Sequence, residues 1–198
     1  MWGSTANSDY WSGIGSHDEQ IIQPYIESAR RFLSEFPTLA NAVDLGCGDV
    51  NVGSQIRDCC AQFVASDLVP DLVDRNARAF AHLNVVFQCV DIVKDDLPTA
   101  ELAFIRQVLQ HLNNAQIAKV ILKLRQYRWL IVSEHVPAIE SFAPNRDKPM
   151  GPGVRERFGS GVVLTAPPFN LRAIEERLLC EVKEGSGIVR TVANRLAG

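Results

Sequence analysis

No apolar run in this 198-residue chain is long enough to span a bilayer, so the sequence does not read as a membrane protein. Lysine and arginine do not cluster either: 20 basic against 23 acidic side chains leave a net charge of -3. Surfaces that hold a phosphate backbone usually carry a basic patch, so nucleic acid is disfavoured as a partner. The start, Met1-Trp2-Gly3-Ser4-Thr5, lacks the positive and apolar stretches of a secretory signal. Cys47, Cys59, Cys60, Cys89 and Cys180 are an odd number, without CxxC pairing or nearby histidines. That pattern argues against a disulfide framework or a metal site and for reduced thiols in the cytoplasm. Internal repeats and low-complexity tracts are missing as well.

What is present suffices for one core: 46% of residues are hydrophobic, and residues 1-198 are expected to form a single α/β domain. Residues 1-17 read as an irregular lead-in. From Asp18, Ile22, Tyr25, Ala29, Phe32, Leu33 and Phe36 fall on one helical stripe that stops before Pro37. Strands are expected at 42-45, 63-67, 85-90, 102-105 and 129-133. Helices are expected at 52-60, after Pro70, and from Asn113, whose pairing with Gln116 spells a capping box. This alternation implies a doubly wound, mostly parallel sheet with helices on both faces. Residues 136-168, rich in proline and glycine, break the rhythm and suggest a functional or mobile excursion. A helix over 171-177 and a hairpin of 179-183 with 188-195 around Gly185-Ser186-Gly187 complete the reading.

The segment Val43-Asp44-Leu45-Gly46-Cys47-Gly48-Asp49 carries the most information. A strand feeds a glycine turn, where the lack of Cβ atoms allows a ligand to approach the backbone. A tight packing turn would look the same. Asp67 ends the next strand at the same sheet edge, where a carboxylate can accept both hydroxyls of a ribose, or simply cap the helix at Pro70. Asp91-Ile92 closes the third strand and offers an acid and an apolar face to an adenine; a solvated loop acid is the plainer option.

These residues resemble the class I S-adenosylmethionine-dependent methyltransferases. Asp44-Leu45-Gly46-Cys47-Gly48 matches that family's first motif, Asp67 its ribose acid, and Asp91-Ile92 its adenine contact. Phe104 to Leu112 looks like its fourth strand and following loop, and the terminal hairpin agrees with an antiparallel end to a seven-stranded sheet. Gly48-Asp49-Val50-Asn51 and Arg106 to Asn114 further resemble a small bacterial-type subgroup, which supplies no substrate. The resemblance implies S-adenosylmethionine as cofactor, held by Asp44, Gly46, Cys47, Gly48, Asn51, Asp67, Leu68, Asp91, Ile92 and Arg106. One departure stands out: the family's third glycine is absent, and Val50-Asn51 occupies its place.

In-line methyl transfer needs alignment and exclusion of water, and a general base only for acceptors such as a hydroxyl. His135 and His111 both follow strands at the ligand edge and are the candidate bases, each with a structural role as the alternative. Arg106 and Arg146 are candidates for an anionic substrate. Tyr10, Trp11, Ser16 and His17 are candidates for a lid, and residues 136-168 for a substrate cover. A small-molecule acceptor, hydroxylated or sugar-like among the options, fits the low charge. A non-catalytic S-adenosylmethionine-binding partner subunit is the non-enzyme alternative. A nicotinamide-dinucleotide oxidoreductase would want GxGxxG, and Asn51 stands at its third glycine.

Overall fold

The computed structural model describes residues 12-197, apart from the side chain of Ile14. Seven strands form one sheet in the order β3-β2-β1-β4-β5-β7-β6. They are β1 Ala42–Leu45, β2 Phe63–Asp67, β3 Val86–Cys89, β4 Leu102–Arg106, β5 Trp129–Pro137, β6 Ala173–Glu184 and β7 Gly187–Leu196. Strands β1 to β5 run parallel; β7 is antiparallel to both β5 and β6. Crossovers return to the same edge, so β1, β2 and β4 all deliver their last residues to one rim.

Helix α1, Glu19–Ser34, starts where Asp18 accepts the Gln20 amide, and buries its predicted stripe on one face of the sheet. Phe32 meets Trp129 edge-on at 4.9 Å, and Phe63 and Phe104 lie in the same core. Helix α3, Asn114–Leu124, forms the expected capping box and packs Ile117, Val120, Ile121 and Leu124 on the opposite face. Helix α2, Pro70–Ala79, flanks β2 and β3. Its buried Asn76 donates to the Gly48 carbonyl at 2.7 Å, tying this helix to the glycine turn. No helix among the described residues is long and apolar enough to cross a membrane.

Three expectations change. Residues 52-60 form two 3-10 turns, Gly53–Gln55 and Arg57–Cys59, rather than a helix. Gly53, Asp58 and Cys59 are weak helix formers, and nine residues are too few to outweigh a costly helix nucleus. Residues 171-177 belong largely to strand β6. There Ile174, Glu176 and Leu178 alternate toward solvent, and ten residues paired with β7 override the local helical spacing. Strand β5 reaches Pro137 because Glu134 to Pro137 pair with Arg190 to Gly187, which shortens the predicted excursion at its start.

The excursion itself is built. It carries a 3-10 turn, Arg155–Phe158, and sends Val162, Leu164 and Leu171 into the core beside α3, where a crossover helix would otherwise lie. Asn145 organises it: its side-chain amide donates to the carbonyls of Val163 and Pro167, and its Oδ1 accepts the Val163 amide. Arg155, 1% exposed, donates to the carbonyls of Leu109 and Arg146 and to Asn114 Oδ1.

Candidate functional site

The glycine turn follows β1, and its backbone is bonded throughout. Gly46 and Cys47 both donate to the Ser66 carbonyl, at 2.8 and 2.9 Å. Gly48 donates to Asp67 Oδ2 at 3.0 Å, and Asp49 to Ser12 Oγ at 2.8 Å. Val50 donates to the Cys47 carbonyl, and Asn51 to Asp49 Oδ1. Gly46 has φ +83, and a Cβ there would lie 2.4 Å from a methyl of Val108, so backbone and neighbour both require glycine. Val50, at the place where the resemblance led one to expect a third glycine, is left-handed, at φ +65. A buried β-branched residue in the left-handed region carries strain of about 1–3 kcal/mol, which the surrounding bonds must hold.

Three carboxylates converge on the turn. Burial pushes Asp44 up to about 7, against the pull of Arg106 and with added push from Asp67. Asp49 is buried too, which by itself would raise it; the hydrogen bond from His17 and the amides of Ser12 and Asn51 outweigh that and hold it below its usual range. The Cys47 thiol, buried and ringed by Asp44, Asp67 and Asp49, sits well above its ordinary value and stays protonated.

Residues 12-17 lie across this turn. Ser12 donates its amide to Asp49 Oδ2 at 3.0 Å, and His17 Nε2 reaches the same oxygen at 2.6 Å. Asn51 donates its side-chain amide to the Ser16 carbonyl at 2.7 Å. Arg106, at the end of β4, donates to the Gly15 carbonyl and to Ser16 Oγ, and its guanidinium stacks 5.3 Å above the Tyr25 ring. Its Nε–H is buried without an acceptor among the described residues. Of the residues anticipated as a lid, Ser16 and His17 bond to the turn and to Arg106; Tyr10 and Trp11 lie outside the described residues.

Most of the predicted cofactor residues therefore meet. Asp67 adds a second internal bond, from the Val69 amide to Oδ1 at 3.1 Å, and Leu68 beside it is 61% exposed. Asp91 is turned toward its own loop. It accepts the Val93 amide and pairs with Lys94 at 3.0 Å; burial opposes ionisation there, but Lys94 and the loop amides win and lower its pKa. Ile92, directly after Asp91, is buried in the α3-side core cluster with Val90 and Leu97. Arg146 lies in the excursion and donates to the Phe158 carbonyl, well separated in sequence and bonding from the turn.

The two histidines part company. His135 Nε2 lies 3.2 Å from the Glu184 carbonyl, at the tip of the β6–β7 hairpin. His111 Nδ1 lies 3.3 Å from the Gly151 carbonyl under the excursion, and burial lowers its pKa. Between them sits a residue the sequence reading passed over. Glu134, 2% exposed, accepts the Leu109 and Gln110 amides at 2.9 and 3.0 Å and so fixes the turn after β4. Burial pushes it up to about 8, although both amides and Arg155 pull it down. An acid just after the apolar run Trp129 to Val132, within the same strand, was its available signal. Asp49, adjacent to the quoted motif, was legible by position alone, and nothing in the local sequence flagged Arg155 or Ser12.

No protein-family model and no curated protein matches the chain. Solved structures do. N-methyltransferase NodS from Bradyrhizobium japonicum, crystallised with S-adenosyl-L-homocysteine, superposes with a TM-score of 0.70 at 16% identity, over 98% of this chain and 94% of that one. Human N-acetylserotonin methyltransferase in complex with SAM gives 0.61 at 16% identity, over 92% and 55%. Magnesium protoporphyrin IX methyltransferase from Synechocystis gives 0.59 at 16%, over 96% and 87%. The chain has the class I methyltransferase fold. Within that methyltransferase fold, the turn at 46-51 and the ends of β2 and β4 form the rim at which open α/β sheets bind their ligands.

Proposed function

We propose that the chain transfers a methyl group from S-adenosylmethionine to a small-molecule acceptor. The observation that carries this reading is the state of the glycine turn, whose six amides from Gly46 to Asn51 all have partners inside the protein. A dinucleotide site needs such amides, and a helix dipole behind them, for its pyrophosphate. Here only two three-residue 3-10 turns follow, and Asp44, Asp49 and Asp67 crowd the turn. That field repels phosphate and favours a positively charged sulfonium.

The residues fit the cofactor part by part. Each Asp67 oxygen accepts one amide and retains capacity for a ribose hydroxyl. Exposed Leu68 offers an apolar face beside it. The orphaned Nε–H of Arg106 matches the carboxylate at the cofactor's amino-acid end. Gly46, Cys47, Gly48, Asn51 and Asp44 shape the wall between these groups. Bound S-adenosylmethionine would supply a methyl group already activated by the positive sulfur. The protein then has to align the acceptor and exclude water, which is the role assigned to residues 12-17 and, on the acceptor side, to the excursion 136-168. For a hydroxyl acceptor, His135 donates Nε2–H to Glu184 and presents Nδ1 as the basic nitrogen; His111 is the second candidate.

Charge and the absence of a basic patch support a small acceptor, as do the names of two similar proteins, which act on N-acetylserotonin and magnesium protoporphyrin IX. In this reading residues 1-198 work as one cytoplasmic domain. Titration calorimetry tests it: S-adenosylhomocysteine binds saturably and NAD does not. Saturable NAD binding without a response to S-adenosylhomocysteine refutes the assignment. Cofactor binding with no methyl transfer across a broad acceptor panel favours a non-catalytic partner subunit.

A further inference from the structure

A second group of polar side chains gathers where the turn after β4 meets the tip of the β6–β7 hairpin. Gln107, left-handed at φ +56, donates Nε2–H to Glu184 Oε2 at 3.3 Å. A Cβ placed on Gly15 would lie 2.7 Å from Gln107 Oε1 and 3.2 Å from Glu184 Oε1, so both oxygens face the same side of Gly15. Glu156, from the excursion, accepts the Ser186 hydroxyl at 2.9 Å on the other side of the hairpin tip, close to His135.

The charges here are left unbalanced. Farther along β6, Glu181 pairs with Arg190 at 2.6 Å, and Glu175 stands 4.0 Å from both Arg177 and Arg195. Half-buried Glu184 and Glu156 have no ion pair among the described residues. Burial lowers the pKa of nearby Arg106, and Glu184 is among the groups that oppose this. Yet the Arg106 donors go to the Gly15 carbonyl and Ser16 Oγ.

An independent sign comes from Gln110, which is 6% exposed. Glu134 holds its backbone amide, and its Nε2 reaches the Gln107 carbonyl at 3.3 Å, but its buried Oε1 accepts from nothing. Turning the amide over would set that oxygen against the Gln107 carbonyl, so the orphan does not disappear by a flip. A buried acceptor left without a donor is costly and rare. The groups left over at this junction are acceptors: the Oε1 atoms of Gln110 and Gln107, and the carboxylates of Glu184 and Glu156.

We infer that this junction binds a protonated primary amino group carried by the small-molecule acceptor. That the ligand is the methyl acceptor rests on the function proposed above; the amine site rests on the junction alone. An ammonium brings three donors and no acceptor, and its hydrogen bond to a carboxylate is charge-assisted. A hydroxyl brings a single donor and no charge. A carboxylate or phosphate brings acceptors to acceptors and meets two like charges. Gly15 lies against Gln107 and Glu184, so the amine reaches them as residues 12-17 shift, which links acceptor entry to the segment across the glycine turn.

The test is NMR titration of the full chain, alone and with S-adenosylhomocysteine, using n-butylammonium, n-butanol and butyrate. The signals read are the Gln110 side-chain amide and the Gly15 backbone amide. Saturable shifts are expected for n-butylammonium, with binding of the other two weaker by about tenfold or more. Glu184→Gln and Gln110→Met should each weaken n-butylammonium by about fivefold or more, and Glu181→Gln, whose parent acid is already paired with arginine, should not. If Gln110→Met does not fold, Glu184→Gln at the hairpin tip decides alone. Equal binding of n-butanol or butyrate, unaltered affinity in Glu184→Gln, an equal loss in Glu181→Gln, or no saturable shift in either sample overturns the inference. Calorimetry with S-adenosylhomocysteine separates the two readings. Cofactor binding without n-butylammonium binding overturns the amine site alone. Saturable n-butylammonium binding without cofactor binding keeps the amine site and overturns the methyltransferase reading.

Discussion

Replacing Asp67 by alanine perturbs two things at once, and the geometry allows them to be separated. The carboxylate accepts the Gly48 amide at 3.0 Å and the Val69 amide at 3.1 Å, so it braces the glycine turn and the entry to α2. Hydrogen bonds to a charged group contribute about 1.5–3 kcal/mol when buried. Asp67 is only partly buried, so the two together are discounted to roughly 2 kcal/mol. For a chain of this length that lowers Tm by about 4–8 °C. The ribose contributes separately: loss of two charge-assisted bonds should weaken S-adenosylhomocysteine by at least tenfold, and about 3 kcal/mol would give more than a hundredfold. Asp67→Asn keeps one acceptor oxygen, so it should recover part of the Tm and much less of the affinity. Thermal melts and calorimetry on the three proteins make the comparison. Cofactor affinity that simply follows Tm across the series, or an Asp67→Ala protein that binds like the parent, refutes a direct ribose contact.

Gly46→Val should lower stability by roughly 2–5 kcal/mol from crowding and backbone strain. In Gly46→Ala the milder loss should be partly relieved by Val108→Ala, because the clash is with that side chain; thermal melts without such coupling would reject the contact. Glu134 and Asp44 are raised acids, to about 8 and about 7, so the folded chain binds more protons than the unfolded one above pH 4.5. Stability should therefore fall as pH rises from about 5 to 8, and Glu134→Gln should flatten that slope in Tm; a parent Tm that climbs over this window contradicts the assignment. With a hydroxyl acceptor, His135→Ala or His111→Ala should lower turnover by about 10²–10⁴-fold while S-adenosylhomocysteine affinity stays within twofold or so. Full turnover in both variants means that alignment alone carries the reaction.

The strands were legible because their burial imposes a simple pattern. Ala42 to Leu45 and Leu102 to Ile105 are continuous apolar or buried runs, and the sheet covers them on both faces. The capping box at Asn113 was equally legible, since the four residues from Asn113 to Gln116 contain the whole device. What escaped depends on distant partners. Nothing within residues 171-177 says that β7 will pair with them, and nothing within 52-60 says that Val50 will turn the backbone left-handed just upstream. In the site, Asp44, Gly46, Gly48 and Asp67 could be placed from strand ends and turns. Ser12, Glu134 and Arg155 act through bonds spanning 24 to 46 residues of sequence, which local spacing does not encode.

Strand β6 also bears on how the molecule behaves in crowded solution. It is an edge of the sheet, and an unpaired row of amides and carbonyls is a template for another chain. Half of its 12 residues are charged: Glu175, Glu176, Arg177, Glu181, Lys183 and Glu184. Its register is broken between Ala173 and Glu175 and again between Leu178 and Cys180. A second copy adding a strand there would have to bury those charges and match an irregular backbone. Exposed Ile174 and Leu178 are thereby kept from seeding aggregation, and replacing the flanking glutamates with threonine or valine would turn this edge into the place where refolding at high concentration goes wrong.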